Sequence, residues 1–271
     1  MAAPNEITPP QLLRLIGTPD APVIVDVSID PDFAADPFLI PGAIRHPHTD
    51  IPGLIARLNG RACVIVCQKG HKLSQGMVAW LRSAGVAAEY LQGGNFGWRD
   101  LKNAPRIPVA AIPVSADKST LWVTRHRPKI DRIACPWLIR RFVDRTARFL
   151  FVAPSEVDGV AERYGATPFD VEDVFWSHRG PLCTFDTMLD EFGLRTPALD
   201  RLSTVIRGAD TNAHDLAPEA AGLLAFSVGL SRQYRDDTTQ LEAGMPLYDA
   251  LYRWARDGAD EGHDWPADRN S

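Results

Sequence analysis

Over its first hundred residues the chain alternates short apolar runs with helical patterns, and this alternation constrains the fold more than any other feature. Residues 23–27 and 63–67 are short, largely apolar runs typical of buried parallel strands, and residues 88–91 form another strand-like run. Between the last two runs, apolar side chains recur at helical spacing, at Leu73, Met77, Trp80, Leu81 and Ala84. Strand-then-helix repetition predicts an α/β fold in which helices cover both faces of a parallel sheet.

A proline-rich, polar connector interrupts this pattern and predicts a domain boundary. Pro105, Pro108 and Pro113 lie within it. We predict a first domain at residues 1–104, a linker at 105–119, a second domain at 120–256 and a mobile acidic tail at 257–271. Such a connector suggests few contacts shared between the two domains.

The second half predicts a mostly helical α+β domain. Residues 121–124 and 148–152 read as strands, and the helical pattern at 133–142 contains Pro136, which predicts a late start or a kink. The next helix begins at Thr196-Pro197 and is expected to close at Gly208. Two longer helical patterns follow it.

Charge and hydropathy exclude several classes of function. The formal net charge of −5 disfavours nucleic acid as a partner. No apolar stretch approaches the ~20 residues of a membrane helix, so we expect no membrane partner. The N-terminus lacks the basic and apolar segments of a secretion signal. Only four cysteines occur in 271 residues, which indicates a reducing compartment, and we expect a cytoplasmic protein.

The stretch from Cys67 to Lys72 carries the strongest sign of chemistry. It lies between a predicted strand and a predicted helix, where open α/β sheets bind ligands. Backbone amides entering the helix can hold an anion, and Gly70 permits the backbone angles of a tight loop. Lys69, His71 and Lys72 add positive charge, and Gln68 completes the loop. These effects favour the thiolate form of Cys67, which is the nucleophilic form.

This loop resembles the active-site loop of the rhodanese family of sulfurtransferases, in which a cysteine opens six residues that usually end in arginine. Here the loop ends in Lys72, which keeps the charge and lacks the bidentate guanidinium. Residues 40–45 resemble the family's "PGAxH" segment, and residues 93–98 resemble its "GGxxxW" ending. Asp26-Val27 matches the start of its "DVR" segment, with Ser28 in place of arginine. The resemblance covers about residues 5–103.

The rhodanese resemblance implies covalent sulfur transfer without a cofactor. Cys67 would take a sulfur atom from thiosulfate or another small sulfane donor and pass the sulfur to a thiol acceptor. One alternative is oxyanion chemistry of the kind found in arsenate reductases and dual-specificity phosphatases, which use a longer loop. Another is that Cys67 is simply a buried cysteine at a strand end.

Two clusters in the second half offer further chemistry. The first cluster is basic and lies at the end of the first strand of this half and just after it: Arg125, Arg127, Lys129 and Arg132. These residues are candidates for binding an oxyanion. The alternative is that they form a solvated basic face. Further along stand candidate metal ligands for zinc, iron or manganese: His178, Cys183, Asp186 and Asp210. The plainer interpretation makes Cys183 a core residue and Asp186 a helix cap.

Residues 121–256 resemble the C-terminal domain of the chromate-resistance protein ChrB family. The resemblance rests on residues 122–125, 128–134, 137–142, 178–186, 207–210 and 216–222. It implies a link to chromate resistance and an interaction with chromate or another oxyanion. Some members of that family are described as chromate-sensing regulators. The sequence therefore predicts a sulfurtransferase linked to chromate resistance; the alternative is a metal- or oxyanion-binding chromate sensor with an accessory rhodanese-like domain.

Overall fold

The computed structural model describes residues 5–113 and 119–262, in which strands and helices alternate as expected. The strands, in chain order, are β1 (Glu6–Ile7), β2 (Val23–Asp26), β3 (Phe38–Leu39), β4 (Ile44–Arg45), β5 (Cys63–Val66), β6 (Ala88–Leu91), β7 (Ile107–Pro108), β8 (Leu121–Arg125), β9 (Arg148–Val152) and β10 (Thr167–Pro168). The α-helices are α1 (Pro9–Leu15), α2 (Asp30–Ala34), α3 (Ile51–Leu58), α4 (Lys72–Ser83), α5 (Gly94–Arg99), α6 (Asp131–Leu138), α7 (Val157–Tyr164), α8 (Thr184–Glu191), α9 (Pro197–Asp210), α10 (Glu219–Gln233) and α11 (Asp237–Arg253).

A five-stranded parallel sheet in the order β1-β6-β5-β2-β4 forms the centre of the first half. Every residue of β2 and β5 is buried, as their apolar sequences require. Successive side chains of a strand point to opposite faces of the sheet, so β5 contributes residues to the hydrophobic core on each face. Cys63 and Ile65 pack with α3 and α4 on one face, while Val64 and Val66 belong to the core on the other face. The predicted α/β fold with helices on both faces is confirmed.

The second half is mostly helical around a small sheet. Its three strands run parallel in the order β10-β8-β9, a direction that the sequence alone did not indicate. Helix α6 begins at Asp131 with Pro136 inside it and continues into a π-helical turn at Ile139–Val143. Pro136 therefore does not delay the start of this helix, and the α-helix changes to π-helical geometry three residues after it. No helix among the described residues is long and apolar enough to cross a membrane.

Helix α9 extends further than predicted. Gly208 does not close it, because the helix continues to Asp210. A Cβ atom at position 208 would lie 3.0 Å from Ala220 Cβ and 3.1 Å from the carbonyl oxygen of Ala213. Gly208 is thus a close-packing position rather than a helix stop, and the two further residues of the helix place Asp210 at the functional cluster described below.

The two halves share one hydrophobic core, so the expectation of few contacts between them is wrong. Leu12, Trp98 and Ile107 belong to the same buried cluster as Trp137 and Phe142. Polar contacts add to this core. Arg145 donates to the carbonyl oxygens of Ala21 at 2.7 Å and Pro19 at 3.2 Å. The amide of Gly42 donates to the carbonyl oxygen of Phe142.

The predicted linker and tail are partly structured. Within the linker, β7 pairs with β3 in antiparallel register, and a 3-10 turn follows at Val109–Ala111. A π-helical turn at Trp254–Gly258 extends α11 into the start of the predicted tail. Residues 114–118 of the linker and 263–271 of the tail lie outside the described residues.

Candidate functional site

Cys67 lies directly after β5, at the carboxyl edge of the parallel sheet. Its side chain is buried, and its Sγ atom is 3.3 Å from Oγ of Ser74 on α4. Ser74 is itself fully buried and donates to the carbonyl oxygen of His71 at 3.2 Å. The sulfur atom thus sits at the base of the loop that joins β5 to α4, beside one hydroxyl group.

The Cys67 loop, residues 67–72, is held from outside by the segment that begins α5. The amide of Asn95 donates to the carbonyl oxygen of Cys67, and that of Phe96 to the carbonyl oxygen of Gln68, both at 3.0 Å. Gly94 and Gly70 have φ values of +59° and +70° and approach so closely that a Cβ atom on either would collide with the other's backbone. The two glycine-containing motifs predicted from the sequence therefore form one structure.

The rim of the Cys67 loop is positively charged. Lys69, His71 and Lys72 are exposed, while Gly70 is buried and Gln68 is partly buried. Within the described ranges, the amides of Gln68, Lys69 and Gly70 have no hydrogen-bond acceptor. Free amides that precede a helix, together with cations, attract anions. The loop can therefore hold a negatively charged sulfur or oxyanion group.

Asp26 ties the end of β2 to the segment that supports the loop. Its carboxylate accepts from the amide of Ser28 and from Nδ2 of Asn95, both at 2.8 Å. Nδ2 of Asn95 also lies 3.3 Å from Oγ of Ser28, the residue that replaces the family's arginine. Arg45 donates to the carbonyl oxygen of Ser28 at 3.0 Å. The substitution at position 28 thus leaves a bonded serine, with a guanidinium group from β4 beside it.

A cavity of about 320 Å³ opens at the same edge of the sheet, at the ends of β2 and β4. Its lining includes Asp30, Arg45, His46 and His48, and does not include Cys67. Because the carboxyl ends of parallel strands share one edge, this cavity and the Cys67 loop face the same side of the domain.

The other three cysteines are poorly suited to act as nucleophiles. Burial raises the pKa of the Cys63 thiol to about 12. Burial, reinforced by nearby carboxylates, also raises the pKa values of Cys135 and Cys183 well above the usual range. All four cysteines are free thiols. Since the thiolate is the reactive form, these environments keep Cys63, Cys135 and Cys183 inert.

A second candidate site, here called the His178 cluster, contains His178 and the carboxylates of Asp131, Asp170 and Asp210. His178 Nε2 lies 3.2 Å from Asp210 Oδ2, 3.4 Å from Asp170 Oδ1 and 3.7 Å from Asp131 Oδ2. The four residues come from the start of α6, the turn after β10, the loop before α8 and the end of α9. The tertiary fold, rather than any local motif, brings them together.

Hydrogen bonds from the surroundings fix the carboxylates of the cluster. Asp131 Oδ2 accepts from the amides of Thr184 at 2.6 Å and Phe185 at 3.3 Å, at the N-terminus of α8. Asp170 Oδ1 accepts from Oγ1 of Thr184 at 2.9 Å. Ile130, which directly precedes Asp131, has φ +45° and ψ −104°, a strained conformation of the kind that is often found at functional sites.

The electrostatics of the His178 cluster are strongly perturbed. Hydrogen bonds, first to Asp170 and then to Asp210, raise the pKa of His178 to about 10. Burial raises the pKa of Asp131 well above its usual range, and the charges of Asp210 and Asp170 raise it further. Within the cluster one imidazole faces three carboxylates, and Arg125 and Arg132 reach only Asp170, through its Oδ2 atom.

The structure brings His178 and Asp210 together, but not with the other two predicted metal ligands. Cys183 is fully buried, and its Sγ atom contacts Asp186 Oδ2 at 3.4 Å. The carboxylate of Asp186 forms an ion pair with Arg207 at 2.9 Å and lies 3.4 Å from Arg195. Grouping Cys183 and Asp186 with His178 was therefore wrong. The plainer interpretation agrees with the structure: Cys183 is a core residue, and the carboxylate of Asp186 accepts from the amide of Cys183 at the start of α8.

The predicted oxyanion-binding residues fall into separate environments. Arg127 donates its guanidinium to the carbonyl oxygens of Tyr234, at 3.1 Å, and Ser231. Arg132 and Arg125 both lie beside Asp170 Oδ2, at 3.2 Å and 3.5 Å. Lys129 is exposed. Arg125 and Arg132 thus flank the His178 cluster, whereas Arg127 anchors its loop to the end of α10.

Sequence reasoning missed Asp131 and Asp170. Asp131 lies within residues 128–134, one of the stretches that carry the ChrB resemblance, and Asp170 follows β10 after one residue. A carboxylate just beyond a strand of a parallel sheet is a recognisable signal, because ligands bind at that edge. Strand β10 has only two residues, however, which hid this signal.

Two family models match separate parts of the chain. Residues 8–101 match the model of the rhodanese-like domain, and residues 122–255 match that of the ChrB C-terminal domain. Protein ChrB from Cupriavidus metallidurans is 33% identical over 132 residues, which are 48% of this chain and 39% of that protein. The chain thus spans well under half the length of this relative.

Two solved structures resemble the first half. A rhodanese-like domain protein from Staphylococcus aureus is 31% identical, with a TM-score of 0.31, and the match covers 36% of this chain and 94% of that chain. A thiosulfate sulfurtransferase from Pseudomonas aeruginosa is 22% identical, with a TM-score of 0.32, and the match covers 38% of this chain and 19% of that chain.

Proposed function

We propose that this chain, which joins a rhodanese-like domain to a ChrB C-terminal domain, is a sulfurtransferase with Cys67 as its nucleophile. The observation that supports this most is the position of Cys67. Its sulfur lies at the base of a loop with a cationic rim and free amides, at the carboxyl end of a buried strand. The other three cysteines are buried in environments that suppress the thiolate.

The proposed reaction has two displacement steps. In the first, the Cys67 thiolate attacks the outer sulfur of thiosulfate, the sulfur–sulfur bond of the donor breaks, and sulfite leaves with the electron pair. In the second, a thiolate acceptor attacks the outer sulfur of the Cys67 persulfide and releases the Cys67 thiolate. The loop amides, with Lys69, His71 and Lys72 on the rim, stabilise negative charge on the persulfide.

A link to chromate resistance is a further part of the proposal. It is supported by the match of residues 122–255 to the ChrB C-terminal domain and by the identity to the Cupriavidus metallidurans protein. Free cysteines at all four positions agree with a reducing, cytoplasmic setting.

A rate assay on the full-length chain tests the proposed activity. Thiosulfate would be the donor and cyanide or a small thiol the acceptor, with sulfite or thiocyanate measured as the product. Cys67→Ser should reduce the rate to background. Cys63→Ala, which alters the same strand away from the loop, should retain it. Equal rates in wild type and Cys67→Ser would rule out Cys67 as the nucleophile.

A further inference from the structure

We propose that Asp131, Asp170, His178 and Asp210 bind a divalent transition-metal ion. This site lies in the second half of the chain and is separate from the proposed sulfur transfer at Cys67. It replaces the ligand set expected from the sequence, since Cys183 and Asp186 face each other and the arginines instead.

The spacing of the ligand atoms suits a metal ion. A transition metal with ligands at about 2.0–2.2 Å places neighbouring ligand atoms about 3.0–3.5 Å apart. The carboxylate oxygens of Asp210 and Asp170 lie 3.2 Å and 3.4 Å from His178 Nε2. An oxygen of Asp131 lies 3.7 Å away, and ligand atoms of Asp131, Asp170 and His178 all lie within 4.8 Å of one another. Asp131, Asp170 and His178 thus form the compact part of the site, and Asp210 adjoins it beside His178.

A buried oxygen atom without a partner points independently to a missing cation. Asp131 is completely buried, and its Oδ1 atom has no hydrogen-bond partner among the described residues. Its other oxygen is occupied by the two amides of α8 and faces His178. A buried carboxylate oxygen without a donor is costly, and a bound cation removes that cost.

An internal hydrogen-bond network does not account for these contacts. His178 Nε2 can donate a single proton, yet three carboxylate oxygens lie around it. Arg132 and Arg125 contact Oδ2 of Asp170, whereas Oδ1 of Asp170 faces His178. The unpartnered oxygen of Asp131 receives no proton from either arginine.

The donor set indicates which class of ion binds. One imidazole nitrogen with carboxylate oxygens suits manganese, iron or zinc, whereas magnesium and calcium prefer oxygen ligands alone. Thr184 fixes Asp170 and the start of α8 fixes Asp131, which is the outer support that metal ligands need. The side chain of His178 is 40% exposed, so the site opens to solvent on the side of His178.

Metal content measured on the full-length chain tests the proposal. Protein stripped with a chelator would be reloaded with Mn²⁺, with Zn²⁺, or with Fe²⁺ under anaerobic conditions. After desalting, its metal content would be measured by inductively coupled plasma mass spectrometry. We expect about one ion per chain and a higher thermal midpoint with the ion bound. Asp131→Asn and His178→Ala should each weaken binding by at least about 100-fold.

Cys183→Ala is the matched control, because the sequence places Cys183 in the ligand set and the structure does not. It should bind metal as wild type does. His178→Ala alters an exposed loop residue, so loss of binding in that variant is not a folding defect, and circular dichroism would verify this. The proposal is overturned if wild-type protein, after stripping, reloading and desalting, retains none of the three ions. It is also overturned if Cys183→Ala loses the ion while His178→Ala keeps it.

Discussion

At the scale of single residues, the shape of the Cys67 loop depends on two glycines that touch. Gly70 and Gly94 both have positive φ, and each fills space that a Cβ atom on the other would need. Their contact brings the α5 segment against the carbonyl oxygens of Cys67 and Gln68. The sequence motifs indicated a loop and a second segment, but not that one holds the other.

We therefore predict that Gly94→Ala damages both stability and sulfur transfer. A positive φ with a side chain costs about 1–3 kcal/mol, and the collision with the backbone of Cys67 adds to that. Activity should fall at least about tenfold, because the loop amides move away from the sulfur. Gly76→Ala is the control: among the described residues, no atom beyond the chain neighbours and the nearby backbone of the same helix lies within 4 Å of a Cβ there, and alanine in a helix is expected to be neutral or slightly stabilising.

Lys72 at the end of the loop offers a second test at this scale. Lys72→Ala should raise the KM for thiosulfate by roughly 2–5-fold at low salt, because an exposed cation near an anion contributes about 0.3–1 kcal/mol. Steady-state kinetics at two ionic strengths would measure this, and the difference should shrink at high salt. Lys72→Arg should keep the wild-type KM. A salt-independent effect would argue against a role in attracting the donor.

At the scale of elements, the sequence predicted individual strands and helices from patterns within one segment. It did not predict which residues from different segments come together in space. Strands β2 and β5 were found because burial on both faces leaves a largely apolar run, whereas β6, which exposes Glu89, was recognised as a strand-like run that ends before Gly93. The His178 cluster depends on where the start of α6 and the end of α9 lie in space, and no spacing along the chain encodes that. Asp210 was predicted as a ligand, but the apparent stop at Gly208 placed it beyond α9 rather than at the last residue of that helix.

Asp186 provides a prediction at the scale of elements, because it joins α8 to α9. Its carboxylate is fully buried and pairs with Arg207 on α9. Asp186→Ala should lower the free energy of unfolding by about 3–5 kcal/mol, since it leaves a partly buried arginine without its partner. Denaturant unfolding would measure the loss. At temperatures where this variant stays folded, its metal content should match wild type; a loss below 1 kcal/mol would contradict the structural role.

At the scale of the whole molecule, the two halves are joined by a common core. Arg145 of the second half donates hydrogen bonds to carbonyl oxygens of the first half, and Phe142 packs against Gly17 at the boundary. The proline-rich connector suggested separable domains because linkers of that composition usually are flexible. Composition of a linker reports on the linker alone, whereas the core between the halves arises from residues far apart in sequence.

The shared core predicts that the full-length chain unfolds as one unit. Equilibrium unfolding in urea should give a single transition, coincident when followed by tryptophan fluorescence and by far-UV circular dichroism. Phe142→Ala should shift that single transition by about 3–5 kcal/mol, because the side chain is buried where the halves meet. Two separated transitions, with only one of them moved by Phe142→Ala, would show that the halves are independent.

The most direct test of the central claim is the intact mass of the full-length chain after brief exposure to thiosulfate. We predict a gain of one sulfur atom per chain, located on Cys67 by peptide mapping and removed by cyanide. Cys67→Ser should show no gain, and Cys63→Ala should show the same gain as wild type. A wild-type chain without added sulfur, or sulfur still added in Cys67→Ser, would contradict the assignment of Cys67 as the sulfur-carrying nucleophile.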